Sequence, residues 1–479
     1  MAVATQPTPA GASSSLAVPA IRVLDTTVVL PSTSPSSPGP PESSLPLTFF
    51  DVFWLSFPPV ERLFVYRLAP DADVDAILTN LKTSLSTAIR AFYPLAVRLR
   101  VAPGTADRYE LHYRPGDGVA FTVAECDDAD DDLDTLATDD AREVARIAPF
   151  LPSLPEGGPV LALQATVLSG RRALALGVAV HHSACDGAGS THFLHTWAAA
   201  AAKKQAPAPP PPVIDRSLIA DPGGLYGAFY KAAPTKDEAE FVKMSPDQLL
   251  ATFVLSKDDL QRVKDAVAAE AGRRGVATPP RCSSFVAALG LVWSCYHRAK
   301  KEASCSSDIE DNAGGDGRAS LVFAVDHRSR MKPPLPETYL GNCVGPAFVI
   351  APRDELAAPG AGGLFSACAA VAASIQEAVS EFGTPAMDVW MERVREASAM
   401  RTLSVAGSPR FRVYEMDFGF GTPTKVDIVS VARTGAVAVA ESRREAGGLE
   451  VGVSLQPRGM DMFHKCFADA MAWLHAGAE

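Results

Sequence analysis

The amino-acid sequence predicts a mixed α/β protein organised as two domains. Its 479 residues exceed the roughly 250–300 that a single hydrophobic core usually organises. Strand-like and helix-like patterns recur in both halves of the chain. Between the halves lies the proline-rich run PAPPPP, Pro207 to Pro212, which can sustain neither a helix nor a central strand. We therefore expect an N-terminal domain at 1–205, a crossover linker at 206–243 and a C-terminal domain at 244–479.

The N-terminal domain is expected to open with a strand after a polar extension. The run IRVLDTTVVLP is β-rich, and the stretch PSTSPSSPGPPESSLP that follows it is typical of a loop. Ordered structure is expected to resume at LPLTFFDVFWL. The segment DVDAILTNLKTSLSTAIRAF then has helical periodicity, which predicts a helix packed on a sheet. Its predicted apolar face comprises Ala76, Ile77, Leu81, Leu85 and Ile89.

Apolar or alternating runs of strand length fill the rest of the first half. The last of these runs leads directly into the heptad HHSACDG, His181 to Gly187, and an Ala-rich segment that favours a helix comes behind it. We therefore predict a sheet whose final strand ends at this heptad. The predicted strands are RYELHYR, VAFTVAE, LALQATVLSG and RRALALGVAV, and the predicted helix is GSTHFLHTWAAAAAKK.

The C-terminal domain begins with the same kinds of pattern. FVLSKDDLQRVKDAVAAEAG predicts a strand followed by a helix, and SSFVAALGLVWSCYHRAKK predicts a second long helix. The segment from Cys305 to Arg318 is polar, glycine-rich and aperiodic, so we expect a surface insertion without chemistry. No repeat of about 20 to 50 residues is visible, which excludes solenoids and propellers.

The composition excludes several classes of protein. Apolar residues make up 47% and charged residues 21% of the chain, which is typical of a globular protein rather than of disorder. The net charge of −11 and the lack of a basic stripe in the sequence argue against a nucleic-acid partner. Most of the excess negative charge lies between Ala124 and Asp140, which we interpret as a solvated loop.

Cysteine usage and the N-terminal sequence bear on the cellular compartment. The eight cysteines show no CxxC pairs or regular spacing, so we expect reduced, mostly buried thiols. The N-terminus lacks the basic and apolar regions of a signal peptide, and no uninterrupted apolar span of some 18 residues follows it. We therefore expect a cytoplasmic protein without a membrane partner.

The heptad HHSACDG is the strongest candidate for a reactive site. A histidine at the end of a strand can direct its imidazole into a cleft, and Gly187 and Gly189 allow close backbone approach. A neutral imidazole near pH 7 suits the removal of a proton from an alcohol. Three other interpretations compete: the histidines could be structural, bind a metal, or belong to a Ser-His-Asp hydrolase. The sequence has no HExxH or CxxC segment to complete a metal site and no GxSxG elbow for a hydrolase.

Several segments together resemble one known family. HHSACDG is similar to the HxxxD motif of the plant BAHD acyl-CoA-dependent acyltransferases, and Asp417 to Gly421, DFGFG, resembles their second signature DFGWG. Singly, HHxxxDG also occurs in acetyltransferases and in condensation domains of peptide synthetases. The family's YPLAGR, DxRxR and YFGNC segments have counterparts in Phe92 to Ala96, Asp326 to Arg330 and Tyr339 to Gly345.

The resemblance implies a fold and a function. The fold would be two chloramphenicol-acetyltransferase-like domains with mixed sheets flanked by helices and an active-site channel between them. LPLTFFDVFWL and YLGNCVG resemble the clade that acylates flavonoid, anthocyanin and phenolic glycosides, in which malonyl-CoA is a common donor. We therefore expect malonyl transfer to a sugar hydroxyl by a monomer that uses acyl-CoA as co-substrate and holds no permanent cofactor or metal. The alternatives are hydroxycinnamoyl transfer to a phenolic glycoside or an amine, and a non-catalytic binding protein.

The resemblance also implies roles for single residues. His182 would act as the general base, while Asp186, followed by Gly187, would pair with Arg328 instead of orienting the imidazole. DFGFG would support the channel and the CoA side through Asp417, Phe418, Gly419 and Gly421. Ser283 and Ser284 resemble a segment near CoA, although plain helix caps would look the same. His181 and Cys185 need no role beyond packing.

The sequence departs from the family pattern at three places. Phe420 replaces the usual Trp and lacks an indole N–H donor. Val97 stands where the family usually has Gly, and Thr422 stands where malonyl-transferring relatives often carry Arg or Lys. A malonyl carboxylate in a buried site needs a cation, preferably an arginine, and the sequence does not identify which arginine this is.

Overall fold

The computed structural model describes most of the chain. The predicted surface insertion at Cys305 to Arg318 lies outside the described residues except at its end, and so does part of the predicted linker. The described residues are 18–33, 38–127, 133–154, 157–203, 209–221, 223–233, 235, 244–277, 279, 281–304, 317–380, 393, 396 and 402–476.

The described residues confirm a mixed α/β fold. Helices and strands alternate in both halves of the chain, as the sequence patterns predict. The strands are β1 (Ile21–Val29), β2 (Ser43–Pro46), β3 (Val60–Arg67), β4 (Arg98–Val101), β5 (Tyr109–Tyr113), β6 (Val119–Cys126), β7 (Arg142–Glu143), β8 (Leu161–Leu168), β9 (Ala173–Val180), β10 (Leu249–Leu255), β11 (Arg318–Asp326), β12 (Val344–Pro352), β13 (Leu403–Gly407), β14 (Lys425–Ile428), β15 (Ala436–Glu441) and β16 (Leu449–Leu455). The helices are α1 (Phe49–Val52), α2 (Val74–Ala91), α3 (Leu133–Ala137), α4 (Val144–Ile147), α5 (Gly187–Ala202), α6 (Leu225–Ala232), α7 (Lys257–Arg274), α8 (Ser284–Ser304), α9 (Arg353–Leu356), α10 (Ala361–Ser380), α11 (Val431–Thr434) and α12 (Pro457–Ala476).

The first sheet has the strand order β1-β6-β8-β9-β3-β14. Its pairs are antiparallel except for β6 with β8. Helices α2 and α5 pack together in its hydrophobic core. The predicted apolar face of α2 is correct at Leu81, Leu85 and Ile89, which are buried, but wrong at Ala76, which is exposed. Ala76 is two residues from the buried Val74, and at about 100° per residue this places it on the opposite side of the helix.

The second sheet has the order β12-β11-β13-β15-β16-β10-β7. Its core also contains residues of α7, α8, α10 and α12. Helix α7 begins with a capping box formed by Ser256 and Asp259 and ends at Gly275 in the left-handed region. A third, small sheet has the order β2-β5-β4.

Helix α10 is the one helix of the described residues that is long and apolar enough to cross a membrane. Half of its most apolar stretch is buried within the protein, and the helix packs against α8. A buried helix in a protein core can be equally long and apolar. These two properties therefore do not show whether α10 crosses a membrane.

The two sheets exchange strands. Strand β14, from the second half of the chain, pairs with β3 and completes the first sheet, while β7, from the first half, pairs with β10 in the second. A shared hydrophobic cluster contains Leu63 and Val65 of β3 together with Leu250 and Ala436 from the other sheet. Each of these two sheets therefore contains strands from both sides of the proline-rich stretch.

An ion cluster lies at the same junction. The Lys425 ammonium is fully buried and donates to Asp139 at 2.7 Å and to the Thr252 hydroxyl at 2.6 Å. Asp139 also accepts from Arg443 at 2.8 Å and Arg444 at 2.6 Å. The acidic run from Ala124 to Asp140 was expected to be a solvated loop; this interpretation is wrong at Asp139, because three basic side chains bind that carboxylate.

Candidate active site

The heptad HHSACDG forms the turn between β9 and α5. Strand β9 ends at Val180, and Asp186 caps α5 by accepting a hydrogen bond from the Gly189 N–H at 3.0 Å. A Cβ atom on Gly187 would lie 2.6 Å from the Phe411 ring, so a side chain does not fit there. Residues His181 to Asp186 therefore form a loop between the end of β9 and the start of α5, and we call it the motif loop.

His182 lies under an aromatic cover. Its ring is stacked on the Trp54 indole, with 3.8 Å between ring centroids and 13° between planes. Burial lowers the pKa of His182 below its usual 6.5, and the positive charge of Arg62 lowers it further, although Asp186 and Asn342 act in the opposite direction. The imidazole is therefore neutral near pH 7 and able to accept a proton.

Asp186 is bound away from the imidazole. Arg328 Nη2 donates to its carboxylate at 2.9 Å and also donates to the carbonyl oxygens of Tyr339 and Gly341 at 3.1 Å each. The Cys343 N–H donates to the second carboxylate oxygen at 3.1 Å. Both charged side chains are almost fully buried. The structure thus contains the Asp186–Arg328 pair that the resemblance implies, and the aspartate anchors the motif loop to the segment 339–343.

A second buried ion pair supports the motif loop from the other side. Asp51 accepts from Arg216 Nη1 at 2.8 and 2.9 Å and from the backbone and side-chain N–H groups of Asn342, both at 2.9 Å. Arg216 also donates to the carbonyl of Ala184, and Asn342 donates to the carbonyl of His182, each at 2.9 Å. The backbone carbonyl of His182 is thereby linked to Asp51 through Asn342.

Sequence reasoning missed Asp51 and Trp54. Both lie in LPLTFFDVFWL, which was quoted for its resemblance and not for any single side chain. One signal was available: Asp51 is the only acid in an otherwise apolar run, and a carboxylate that is buried with such a run needs a cationic partner.

DFGFG lies at the far end of α5. Phe418 packs edge-on against Trp197 at 4.7 Å between ring centroids, and Gly419 contacts Ala202 in the last turn. Asp417 accepts from the N–H groups of Gly419 and Gly421 at 2.8 and 3.0 Å. Both glycines have φ near +100°, which favours glycine.

Although DFGFG lies in the second half of the chain, its Phe418 packs in the hydrophobic core of the first sheet. Helix α5 has 16 residues and is therefore about 24 Å long, so DFGFG is far from His182. Upstream of DFGFG, Phe411 contacts Gly187, and its carbonyl accepts a hydrogen bond from His195 at 2.9 Å. The segment 411–421 therefore contacts the first residue of α5 at one end and the last turn of α5 at the other.

The three departures from the family pattern have different surroundings. Phe420 is partly buried and packs edge-on against Tyr66 at 5.1 Å. Val97 is buried in the core of the first sheet, whereas Thr422 is exposed. Because Thr422 is exposed and uncharged, it cannot supply the buried cation that a malonyl carboxylate needs.

Ser283 and Ser284 lie at the start of α8. The Ser283 hydroxyl accepts from the Val286 N–H at 3.3 Å, as a helix cap does, and the Ser284 hydroxyl accepts from Lys264 at 3.0 Å. Both residues belong to the helical layer of the second sheet, so the structure groups them apart from the motif loop.

Two other side chains of the motif loop have simple environments. Burial raises the pKa of the Cys185 thiol to about 12, so this thiol stays protonated and is a poor nucleophile. Burial also lowers the pKa of His181 to about 4, and its Nδ1 accepts from the Ser183 N–H at 3.2 Å. Within the described part of the chain, no group of three or more His, Cys, Asp or Glu side chains is arranged to hold a metal ion.

The chain is similar to known proteins over most of its length. The chain is 32% identical over 473 residues to phenolic glucoside malonyltransferase 1 of Arabidopsis thaliana, which covers 92% of this chain and 96% of the relative. It is 31% identical over 454 residues to the Arabidopsis thaliana enzyme coumaroyl-CoA:anthocyanidin 3-O-glucoside-6''-O-coumaroyltransferase 1, covering 90% and 94%. The crystal structure of vinorine synthase superposes with a TM-score of 0.68 at 18% identity, covering 92% of this chain and 96% of that one.

The fold and the family follow from these matches together. The likeness to vinorine synthase shows the fold, which is that of two mixed sheets flanked by helices. The profile of the Transferase family matches residues 21–470, a span that includes the motif loop and DFGFG. The chain therefore belongs to this family, the BAHD acyl-CoA-dependent acyltransferases, and is an acyltransferase.

Proposed function

We propose that this enzyme transfers a malonyl group from malonyl-CoA to a sugar hydroxyl of a flavonoid, anthocyanin or other phenolic glycoside, with His182 as the general base. The observation that carries the catalytic assignment is the partly buried, neutral imidazole of His182, stacked on Trp54 just after the end of β9. Malonyl transfer to phenolic glucosides is the activity named for one of the most similar relatives. Coumaroyl transfer, named for another, is the second candidate.

The proposed reaction is a direct transfer. His182 removes the proton from the acceptor hydroxyl while its oxygen attacks the thioester carbonyl carbon. The carbon–sulfur bond then breaks, and the proton passes from His182 to the CoA sulfur. No acyl-enzyme is required, which agrees with the high pKa, about 12, that burial gives the neighbouring Cys185 thiol.

The surroundings of His182 suit this role. The two ion pairs, Asp186–Arg328 and Asp51–Arg216, hold the motif loop without contacting the imidazole as a triad partner would. We propose that Asp186, Gly187 and Arg328 are structural. At the CoA end, we propose that Ser283 and Ser284 contact CoA, which the neighbouring Lys264 would favour by its charge.

A donor panel tests the proposed function. The purified enzyme is incubated with malonyl-, acetyl- or coumaroyl-CoA and a set of phenolic glucosides, and the products are identified by mass spectrometry. We expect malonyl esters to predominate. A clear preference for coumaroyl-CoA would replace the malonyl assignment with the second candidate. The monomeric state and the cytoplasmic location expected from the sequence stay predictions.

The same assay tests the base. His182→Ala is expected to lower the rate about 10²–10⁴-fold, the usual contribution of general acid–base catalysis. His181→Asn is the matched control, because its amide oxygen can replace Nδ1 as the acceptor from Ser183. If His182→Ala transferred acyl groups as fast as the wild type, His182 would not be the general base and the role of HHSACDG would not be catalytic.

A further inference from the structure

Arg62 on β3 is a buried cation without an acidic partner. Its side chain is nearly inaccessible, at 5% relative exposure, and Nη1 donates to the Thr191 hydroxyl at 3.0 Å. The ring of Phe411 lies 5.7 Å from the guanidinium carbon. Among the residues that the structure describes, no carboxylate lies within 4.0 Å of this guanidinium.

Other buried arginines of the protein have acidic partners. Arg216 binds Asp51 and Arg328 binds Asp186, both within 2.9 Å. Removing a charged group from water is unfavourable unless an opposite charge and hydrogen bonds compensate for it. Arg62 has only a hydroxyl and an aromatic ring, so its environment lacks an anion that the other two arginines have.

Arg62 lines a partly enclosed cavity at the junction of the two sheets. The cavity has a volume of about 30 Å³, and its lining includes Arg62, Thr252, Ser408 and Phe411. A water molecule needs roughly 10–15 Å³ on this measure, so the space is sufficient for about two water molecules or one carboxylate group.

The acidic side chains that line this cavity are already bound elsewhere. Asp427 accepts from Arg142 Nη2 at 3.1 Å. Glu450 accepts from the Tyr414 hydroxyl at 2.7 Å and from Arg443 at 2.9 Å. The cavity therefore holds a cation whose neighbouring carboxylates are bound by other groups.

Arg62 is close to the motif loop. It pairs across the β3–β9 ladder with Val178, four residues before His182. Its Nη2 atom would lie 3.6 Å from a Cβ on Gly187, the first residue of α5. Burial is the main cause of the lowered pKa of His182, and the charge of Arg62 lowers it further.

We propose that Arg62 binds the free carboxylate of a dicarboxylic acyl group, such as malonyl, while the thioester carbonyl of the same group lies at His182. The proposal rests on the acyl-CoA transfer proposed above and explains how the donor is selected. A guanidinium can form two parallel charge-assisted hydrogen bonds with a carboxylate. It also supplies the cation that exposed Thr422 does not.

The test compares donors that differ only at the carboxylate. Values of kcat/KM are measured with malonyl-CoA, its terminal methyl ester and acetyl-CoA, using one acceptor. We expect the wild type to prefer malonyl-CoA to the methyl ester by about 10- to 100-fold, the usual range for charge-assisted hydrogen bonds. Arg62→Met should abolish the ratio of kcat/KM between malonyl-CoA and its methyl ester, whatever it does to the rate that both donors share through the pKa of His182. Arg62→Lys should keep an intermediate ratio, because it retains the charge without the fork of donors.

A neighbouring arginine provides the matched control. Arg433 binds Glu61, the residue before Arg62, at 3.0 Å and does not line the cavity. Arg433→Met should change transfer from malonyl-CoA and from the methyl ester by the same factor. If Arg62→Met is unstable, two ratios of kcat/KM between malonyl-CoA and its methyl ester still test the role of Arg62. These are the ratio of the wild type and that of Arg62→Lys.

The outcomes separate the two proposals. A wild-type enzyme that transfers malonyl groups but does not discriminate against the methyl ester overturns the role of Arg62 and leaves the malonyl donor in place. An Arg62→Met variant that keeps the wild-type preference does the same. A wild type that uses coumaroyl-CoA and not malonyl-CoA overturns the donor proposal, and the role of Arg62 with it.

Discussion

The Trp54 indole and the His182 imidazole form the closest described aromatic stack at the site, with 3.8 Å between ring centroids. The indole excludes water from one face of the imidazole, and exclusion of water disfavours the charged form of a histidine. This cover is one contribution to the burial that lowers the pKa of His182. The stack therefore helps to keep the imidazole of His182, the proposed base, unprotonated near pH 7.

A pH profile can check this arrangement. Protonation inactivates a general base, so kcat/KM should fall with decreasing pH through a midpoint below 6.5, the usual value for histidine. Trp54→Ala admits water to the ring and should move the midpoint upward, toward 6.5. Trp54→Phe keeps an aromatic cover and should move it less. A wild-type midpoint at or above 6.5, or one that Trp54→Ala leaves in place, would contradict this account.

At the residue scale, the sequence reveals only part of the site. His182 and Asp186 were predictable because they lie together in one short motif. The partner of Asp51 and the surroundings of Arg62 were not, because they involve groups more than 100 residues away, Arg216 for the first and Thr191 for the second. A burial pattern in a single sequence does not tell which charged side chain lacks a partner.

At the scale of elements, the motif loop is held by contacts from three separate segments. Asp51 comes from α1, Arg216 from the segment before α6, and Arg328 from the segment after β11. Arg216 donates to the Ala184 carbonyl of the motif loop, and Arg328 binds the side chain of Asp186, the last residue of that loop. The position of the imidazole therefore depends on ion pairs formed by elements far apart in the chain.

Removal of Asp51 should be strongly destabilising. Asp51→Ala leaves Arg216 buried without an acid, and such losses cost about 3–5 kcal/mol. The free energy of unfolding in urea measures the effect. Asp25→Ala is the control, since Asp25 forms a surface ion pair with Lys82, and such pairs contribute little. Equal unfolding free energies for Asp51→Ala and the wild type would contradict the structural role.

Helices were easier to predict than the placement of DFGFG. The periodicity that predicts α2 and α7 is local, since residues three and four apart share a helix face. The packing of DFGFG was not predictable, because its partners, Tyr66 on β3 and Trp197 on α5, are more than 200 residues away. Sequence position shows only which half of the chain contains a motif. Because the two sheets exchange strands, it does not show against which sheet the motif packs.

At the scale of the whole molecule, the two sheets are mechanically joined. Strands β7 and β14 each pair in the sheet of the other half, and a hydrophobic cluster contains residues of both sheets. The buried Lys425 ammonium on β14 bonds to Thr252 on β10. One sheet cannot unfold without breaking pairs in the other, so we expect the two to unfold together.

Native-state hydrogen exchange tests this cooperativity. Amides of β9 in the first sheet and β16 in the second should show the same free energy of opening, since both exchange through one global transition. Asp139→Asn weakens the partner of Lys425 and should lower both values equally. Two distinct opening free energies, or a variant that lowers only one of them, would show that the sheets unfold independently.

The strand exchange also has a consequence during synthesis. Strand β3 leaves the ribosome early, but β14, which completes its outer edge, follows several hundred residues later. At about 5–20 residues per second, that edge stays unpaired for tens of seconds. Unpaired edges offer N–H and C=O groups to other chains. We therefore expect the nascent enzyme to depend on chaperones that shield one strand edge until nearly the end of translation.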